Sequence, residues 1–160
     1  MRGARWIVSL AVVAMVAVAG CGGGGGDGGP LTHEEYQGQI SVIAADGFGA
    51  SQLYLALVEG TLSQPDCAAK LADFQGQAGD LVERVAALKP PADAAAAQAA
   101  FVAAARQSVA QLGAIGAQVT GGTLACGEAL NAQLTAIPSN AQASAAIASL
   151  QASGYSVFGQ

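Results

Sequence analysis

Along most of this 160-residue chain, apolar residues return every three or four positions, the period of a helix with one buried face. The first such stretch runs from Thr32 to Glu59 with the seam Tyr36, Ile40, Ile43, Gly47, Ala50, Tyr54 and Leu57. Thr32 and Glu35 have the spacing of a capping box, and Gly60 supplies a C-terminal stop. Gly47 and Gly49 weaken the stretch and predict a kink or a close helix contact. A second helix begins near Pro65 and ends before Pro90-Pro91. Its seam Cys67, Leu71, Phe74, Ala78, Leu81, Val85 and Leu88 alternates steps of four and three without a break.

The third helix opens at Pro91 or Ala92 and runs to Val119, with Phe101, Val102, Ala105, Val109, Leu112, Ile115 and Val119 on its apolar stripe and Gly121-Gly122 ending it. The fourth starts near Thr123 and puts Cys126, Leu130, Leu134 and Ile137 on one face. Pro138 breaks or kinks it, and Ser139 is placed to cap a last segment carrying Ala143, Ile147 and Leu150. The tail GYSVFGQ reads as coil, with Val157 and Phe158 available to tuck against the rest. No strand pattern is evident and the loops are short. The expected fold is therefore all-α: an up-and-down four-helix bundle, with a short fifth helix at the C-terminus.

The N-terminus breaks the amphipathic pattern. MRGAR is short and basic, and residues 6–20, WIVSLAVVAMVAVAG, are apolar and uncharged. Fifteen residues are short for a membrane span, which takes about 20, so the stretch reads as a secretory signal. It ends in Val18-Ala19-Gly20-Cys21, which resembles the lipobox of bacterial lipoproteins. The resemblance implies a diacylglycerol thioether on Cys21 and cleavage by signal peptidase II between Gly20 and Cys21. The chain then divides into a lipoprotein signal peptide (1–20), a lipidated cysteine with a Gly-rich linker (21–30) and a helical domain (31–160). Glycine loses the most entropy on ordering, so GGGGGDGGP is expected to act as a tether, spanning roughly 16 Å on average. The implied location is the exported face of the cell membrane, or the outer membrane where there is one, with the bilayer itself the first partner through acylated Cys21. Gly22 after the cysteine, in place of Asp, resembles outer-membrane-sorted lipoproteins. LTHEEY and VAALKPPADAAAAQAAFVAAARQ are in turn similar to Ala-rich helical lipoproteins of high-GC bacteria. That second likeness implies no activity and no functional residue.

With Cys21 assigned to lipid, Cys67 and Cys126 remain as an even pair in an exported domain. In an up-and-down bundle the second helix starts, and the third helix ends, at the same end, so the two cysteines are expected to meet there as a disulfide. Their helices lie diagonally in a square bundle, which requires convergence at that end.

Charge and chemistry narrow the function by exclusion. Six Lys and Arg stand against eleven acids, a formal −5; without Arg2 and Arg5 the balance is −7. There is no basic cluster of the kind that displaces counterions from nucleic acid, so a nucleic-acid partner is excluded. His33 is the single histidine, and HEEY lacks the second histidine of a zinc HExxH motif. Neither CxxC nor CxxCH occurs, and the glycine tract lacks the Lys-Ser/Thr ending of a P-loop, so no cofactor or metal is expected. Asp66, Asp73 and Asp80 repeat every seven residues, with Lys70 and Arg84 four residues after Asp66 and Asp80, the spacing of surface ion pairs. Ser108 has no base in register with it. The expectation is a non-enzymatic, membrane-anchored envelope lipoprotein that binds an unknown envelope protein or plays a structural part. The alternative is a carrier or sensor of a small apolar ligand between the helices. An exposed apolar patch would favour the first and a cavity of at least about 300 Å³ the second.

Overall fold

The structure is a computed structural model that describes residues 28–157. Gly20, Cys21, the rest of the lipobox, the tether up to Asp27 and Phe158 lie outside the described residues. Six helices follow in order: α1 (His33–Asp46), α2 (Phe48–Val58), α3 (Gln64–Ala87), α4 (Ala92–Thr120), α5 (Glu128–Thr135) and α6 (Ser139–Ala152). No strand occurs among the described residues. They form a helical bundle of four arms in which the first (α1–α2) and the last (α5–α6) are each broken once.

The breaks come from the residues that foretold them. The predicted helix over 32–59 divides at Gly47, whose own backbone is helical (φ −65°, ψ −10°). The capping box forms: Thr32 Oγ1 accepts from the Glu35 amide, and Thr32 N–H donates to Glu35 Oε2 at 2.9 Å. That holds the Glu35 carboxyl below its usual range. α3 opens at Gln64 with Ser63 as N-cap and Pro65 in its first turn. α4 opens at Ala92 and runs one residue past Val119.

Two sequence expectations fail on the fourth arm. Its helix starts at Glu128 rather than near Thr123. Gly122 (φ +72°) turns the chain out of α4, Thr123 folds back with its amide and hydroxyl both on Gln118 O, and Gly127 (φ +98°) redirects the chain into α5. Ser139 does not cap α6. It is the first residue of the helix, behind Pro138, and its buried hydroxyl meets Ser108 instead.

The late start of α5 leaves Cys126 on a loop, and a loop can cross a diagonal that straight helices cannot. Cys67 and Cys126 sit at bonding distance with their Cα atoms 6.0 Å apart, so the helices need not converge. At this end the loop also lies against the end of α2. Gly127 N–H donates to Leu57 O at 2.9 Å, and an ideal Cβ on Gly127 would stand 3.0 Å from Gly60 Cα. At the opposite end the entering chain is tied to the α3–α4 turn: Leu31 N–H donates to Lys89 O and Lys89 Nζ to Gly28 O.

The core follows these two ends. One apolar cluster gathers Tyr36, Ile40, Val85, Ala94, Leu150 and Tyr155 around the chain termini. The other gathers Leu57, Cys67, Leu71, Ile115, Leu130 and Leu134 around the disulfide. α4 is the central helix and packs along both α3 and α6. The predicted surface pairs along α3 do not form. Arg84 reaches Asp46 on α1 (2.7 Å), Asp66 bonds Ser63, and the other ion pair among the described residues is Arg106–Glu83 (2.7 Å). Both ion pairs are exposed and solvent-screened, so they contribute little to stability.

Two predictions follow from the disulfide end. Cys67→Ser with Cys126→Ser should lower stability by about 4 kcal/mol on the chain-entropy scale, seen as a fall in the urea midpoint; an unchanged midpoint would show the pair unbonded in solution. Gly127→Ala should cost more than the ~1–2 kcal/mol of placing an L-residue in the left-handed region, because its backbone (φ +98°, ψ −142°) lies beyond that region and its methyl also meets Gly60. Gly122→Ala, with open space around it, should cost only that amount, so equal losses for the two would disprove the tight backbone approach.

Candidate functional site

Between its two pinned ends the bundle is not fully closed. α1 and α2 pack on α3, and α2 meets the fourth arm at α5, while α6 follows α4 with no comparable packing against α2. The result is an apolar slot at mid-height with a cavity of about 240 Å³, partly open to solvent. Phe74, Ala78 and Val82 of α3 and Ala105, Val109 and Leu112 of α4 form its floor. Tyr54 of α2 stands on one side and Leu134, Ile137 and Ala143 of the last arm on the other. Alanines at 78, 105 and 143 leave room that leucines would fill, which is why the unbroken seam read for α3 is only partly right. Phe74 and Ala78 border the slot half-buried, whereas Val82, outside that seam, is buried.

The slot carries few polar groups. Tyr54 OH donates to Asn131 Oδ1 at 2.6 Å, and burial pushes its pKa up. Ser108 Oγ lies 2.7 Å from Ser139 Oγ and donates to Asn140 Oδ1 at 3.0 Å. Neither partner is a base, so this hydroxyl is a hydrogen-bonding group. Among the described residues no cluster of three or more His, Cys, Asp or Glu could hold a metal. His33 is exposed, as expected at a helix start, but its ring also stacks on Tyr155 with centroids 4.2 Å apart.

Tyr155 belongs to a latch that sequence reading missed. Gly154 (φ +90°) turns the chain after α6 back onto α1. Gln37 then pairs with the backbone of Ser156 through two bonds of 2.7 Å. Tyr155 packs edge-on against Tyr36 and donates its OH to Asp93 at 2.9 Å. Val157 is buried beside it, as the tail reading expected. This ties the tail to α1 at the terminal end of the bundle.

A second feature lies outside the slot. The large apolar side chains exposed among the described residues are Val42, Phe48 and Leu55, all on the first arm. From Gly47 to Val58 that arm carries no charge. Residues His33–Val58 are long and apolar enough to cross a membrane by length and composition. Their inner face, with Tyr36, Ile40, Ile43, Ala50 and Leu57, is nevertheless buried in the bundle. The uncharged run 47–58 was the signal available in the sequence for an apolar outer face.

The latch titrates. Burial, and then the neighbouring Tyr155, push the Tyr36 phenol up to about 12; burial, and then the Asp93 hydrogen bond and charge, push Tyr155 up. A phenol whose folded pKa is raised contributes stability that is complete below its unfolded pKa and lost as pH climbs through the folded one. Bundle stability should therefore fall between pH 10 and 12 by about 2 kcal/mol from Tyr36, and Tyr36→Phe should flatten that fall. At pH 7 Tyr36→Phe should be neutral or stabilising, since Tyr36 OH is buried with no partner among the described residues. Tyr155→Phe should cost about 1 kcal/mol or more for its lost bond. Denaturation of both variants at neutral and alkaline pH checks the set, and a larger loss for Tyr36→Phe would contradict it.

No known protein family, curated protein or solved structure matches this chain, so the slot and the outer face have only their own chemistry to speak for them.

Proposed function

We propose that the chain is a membrane-anchored envelope lipoprotein whose non-catalytic helical domain docks another envelope protein through the outer face of its first arm. The observation that carries this reading is the placement of exposed Val42, Phe48 and Leu55 on the one arm that follows the tether. Phe48 and Leu55, seven residues apart, share a helix face. An apolar face next to an anchor suits a partner held in the same membrane, because tethering replaces a search in three dimensions by one within the tether's reach. A protein fits this face better than the lipid surface does. The first arm carries Glu34, Glu35, Asp46 and Glu59 and no Lys or Arg, the opposite of what anionic headgroups attract.

The alternative, a carrier or sensor of a small apolar ligand between the helices, is the weaker reading of the domain's main task. The slot holds about 240 Å³, below the roughly 300 Å³ of a usual ligand site, so it leaves room only for a molecule of about ten heavy atoms.

The anchor and the docking face are tested separately. The wild-type protein should partition into the detergent phase of Triton X-114 with an intact mass that includes acyl chains. Cys21→Ala should lose both properties, and a wild-type protein without acyl mass would end the lipoprotein reading. A photo-crosslinking residue at Phe48 or Leu55 should give one discrete protein adduct in intact cells, where the same probe at exposed Gln133 gives none. Equal labelling from all three positions would remove the docking face.

A further inference from the structure

We infer that the mid-height slot is a binding site for a small, neutral, mostly apolar molecule that carries one hydroxyl group. The site narrows the alternative reading above to the size that the cavity allows, and its test does not depend on how the outer face of the first arm is used.

Three observations define the ligand. The first is size. A closed cavity of about 150 Å³ accepts a six-atom ring, so the half-open slot of about 240 Å³ accommodates roughly ten heavy atoms with one side of the molecule left to solvent. The second is charge. The lining contains no Asp, Glu, Lys, Arg or His, so a charged group would enter without a counterion. The third is the polar corner. Ser108 gives its one proton to Asn140 Oδ1, so the 2.7 Å contact with Ser139 has Ser139 as the donor. One lone pair on Ser108 is left over. Asn140, exposed at the rim of the slot, gives one Nδ2 proton to Leu134 O at 3.1 Å and has a second to give there. One acceptor and one donor thus stand side by side at the edge of an apolar floor, the complement of a single hydroxyl.

The slot is also built to stay open. Small residues at 78, 105 and 143 create it, and the two ends of the bundle are tied by independent means: the Cys67–Cys126 pair with the Gly127–Leu57 bond at one, the Tyr155 latch at the other. Sliding α2 toward α6 to fill the gap would strain both ties.

The test uses the full chain, labelled at its alanine methyl groups, with 1-naphthol as the probe and naphthalene as its counterpart without the hydroxyl. Addition of 1-naphthol should shift the Ala78, Ala105 and Ala143 methyl signals saturably and leave solvent-facing alanines such as Ala129 in place. Ala78→Leu should weaken binding at least tenfold while keeping the thermal melt; Ala143→Leu is the second filling variant should the first not fold. Ser108→Ala should weaken 1-naphthol about tenfold and leave naphthalene unchanged. Shifts that never saturate, or binding that survives in whichever filling variant folds, would overturn the site. Equal weakening of both probes by Ser108→Ala would overturn the hydroxyl assignment.

Discussion

Gly60 and Gly127 touch through their backbones, and much of the bundle's geometry follows from that contact. With both residues at positive φ and neither carrying a Cβ, the loop after α4 lies flat against the end of α2. From there Cys126 reaches Cys67, Gly127 bonds Leu57 O, and α5 begins where Leu130 and Leu134 point inward. Asn131 consequently meets Tyr54. A side chain at either glycine would push the loop outward and with it the whole fourth arm. The disulfide then holds covalently an arrangement that the two glycines make sterically possible.

This constraint acts at one end, and the tail latch acts at the other. Bundles of leucine-rich helices close along their length because large side chains interlock. Here alanine takes many of those places, and the middle of the bundle has less apolar bulk to draw the outer arms together. The polar groups in that middle region pair with one another, Ser108 with Ser139 and Asn140, and Asn140 with Leu134 O. These bonds offset the desolvation that a half-buried hydroxyl would otherwise suffer.

The sequence disclosed what is set by neighbours along the chain. The capping box at Thr32 and Glu35, the stops at Gly60 and Gly122, and the break at Pro138 are local chemistry and stand where the pattern put them. The long seams located α3 and α4 to within a few residues. The pairing of Cys67 with Cys126 was legible too, though it is reached by a loop where a helix was expected. What stayed hidden depends on partners far apart in sequence. Nothing in GYSVFGQ announces that Tyr155 will stack on His33 and bond Asp93. Arg84 looked like the partner of Asp80 because the two are four residues apart, yet Asp46 reaches it from another arm. A cavity between Ala-rich helices was legible as an alternative, but its place was not: alanines at 78, 105 and 143 look like ordinary helix formers until three helices bring them together.

An up-and-down bundle of four arms returns its last residues to the end where the first ones enter. Gly28 and Leu31 are tied to the α3–α4 turn, and Ser156 is bonded to Gln37 nearby. A mechanical load applied between the two termini would run through these few hydrogen bonds, which can be undone one after another. The first and last arms would peel away from the bundle. The force would then meet the Cys67–Cys126 bridge, which encloses α3 and α4 in a covalent ring with a sequence separation of 59. That ring cannot lengthen, so the hairpin that floors the slot is shielded from tension while the arms around it yield.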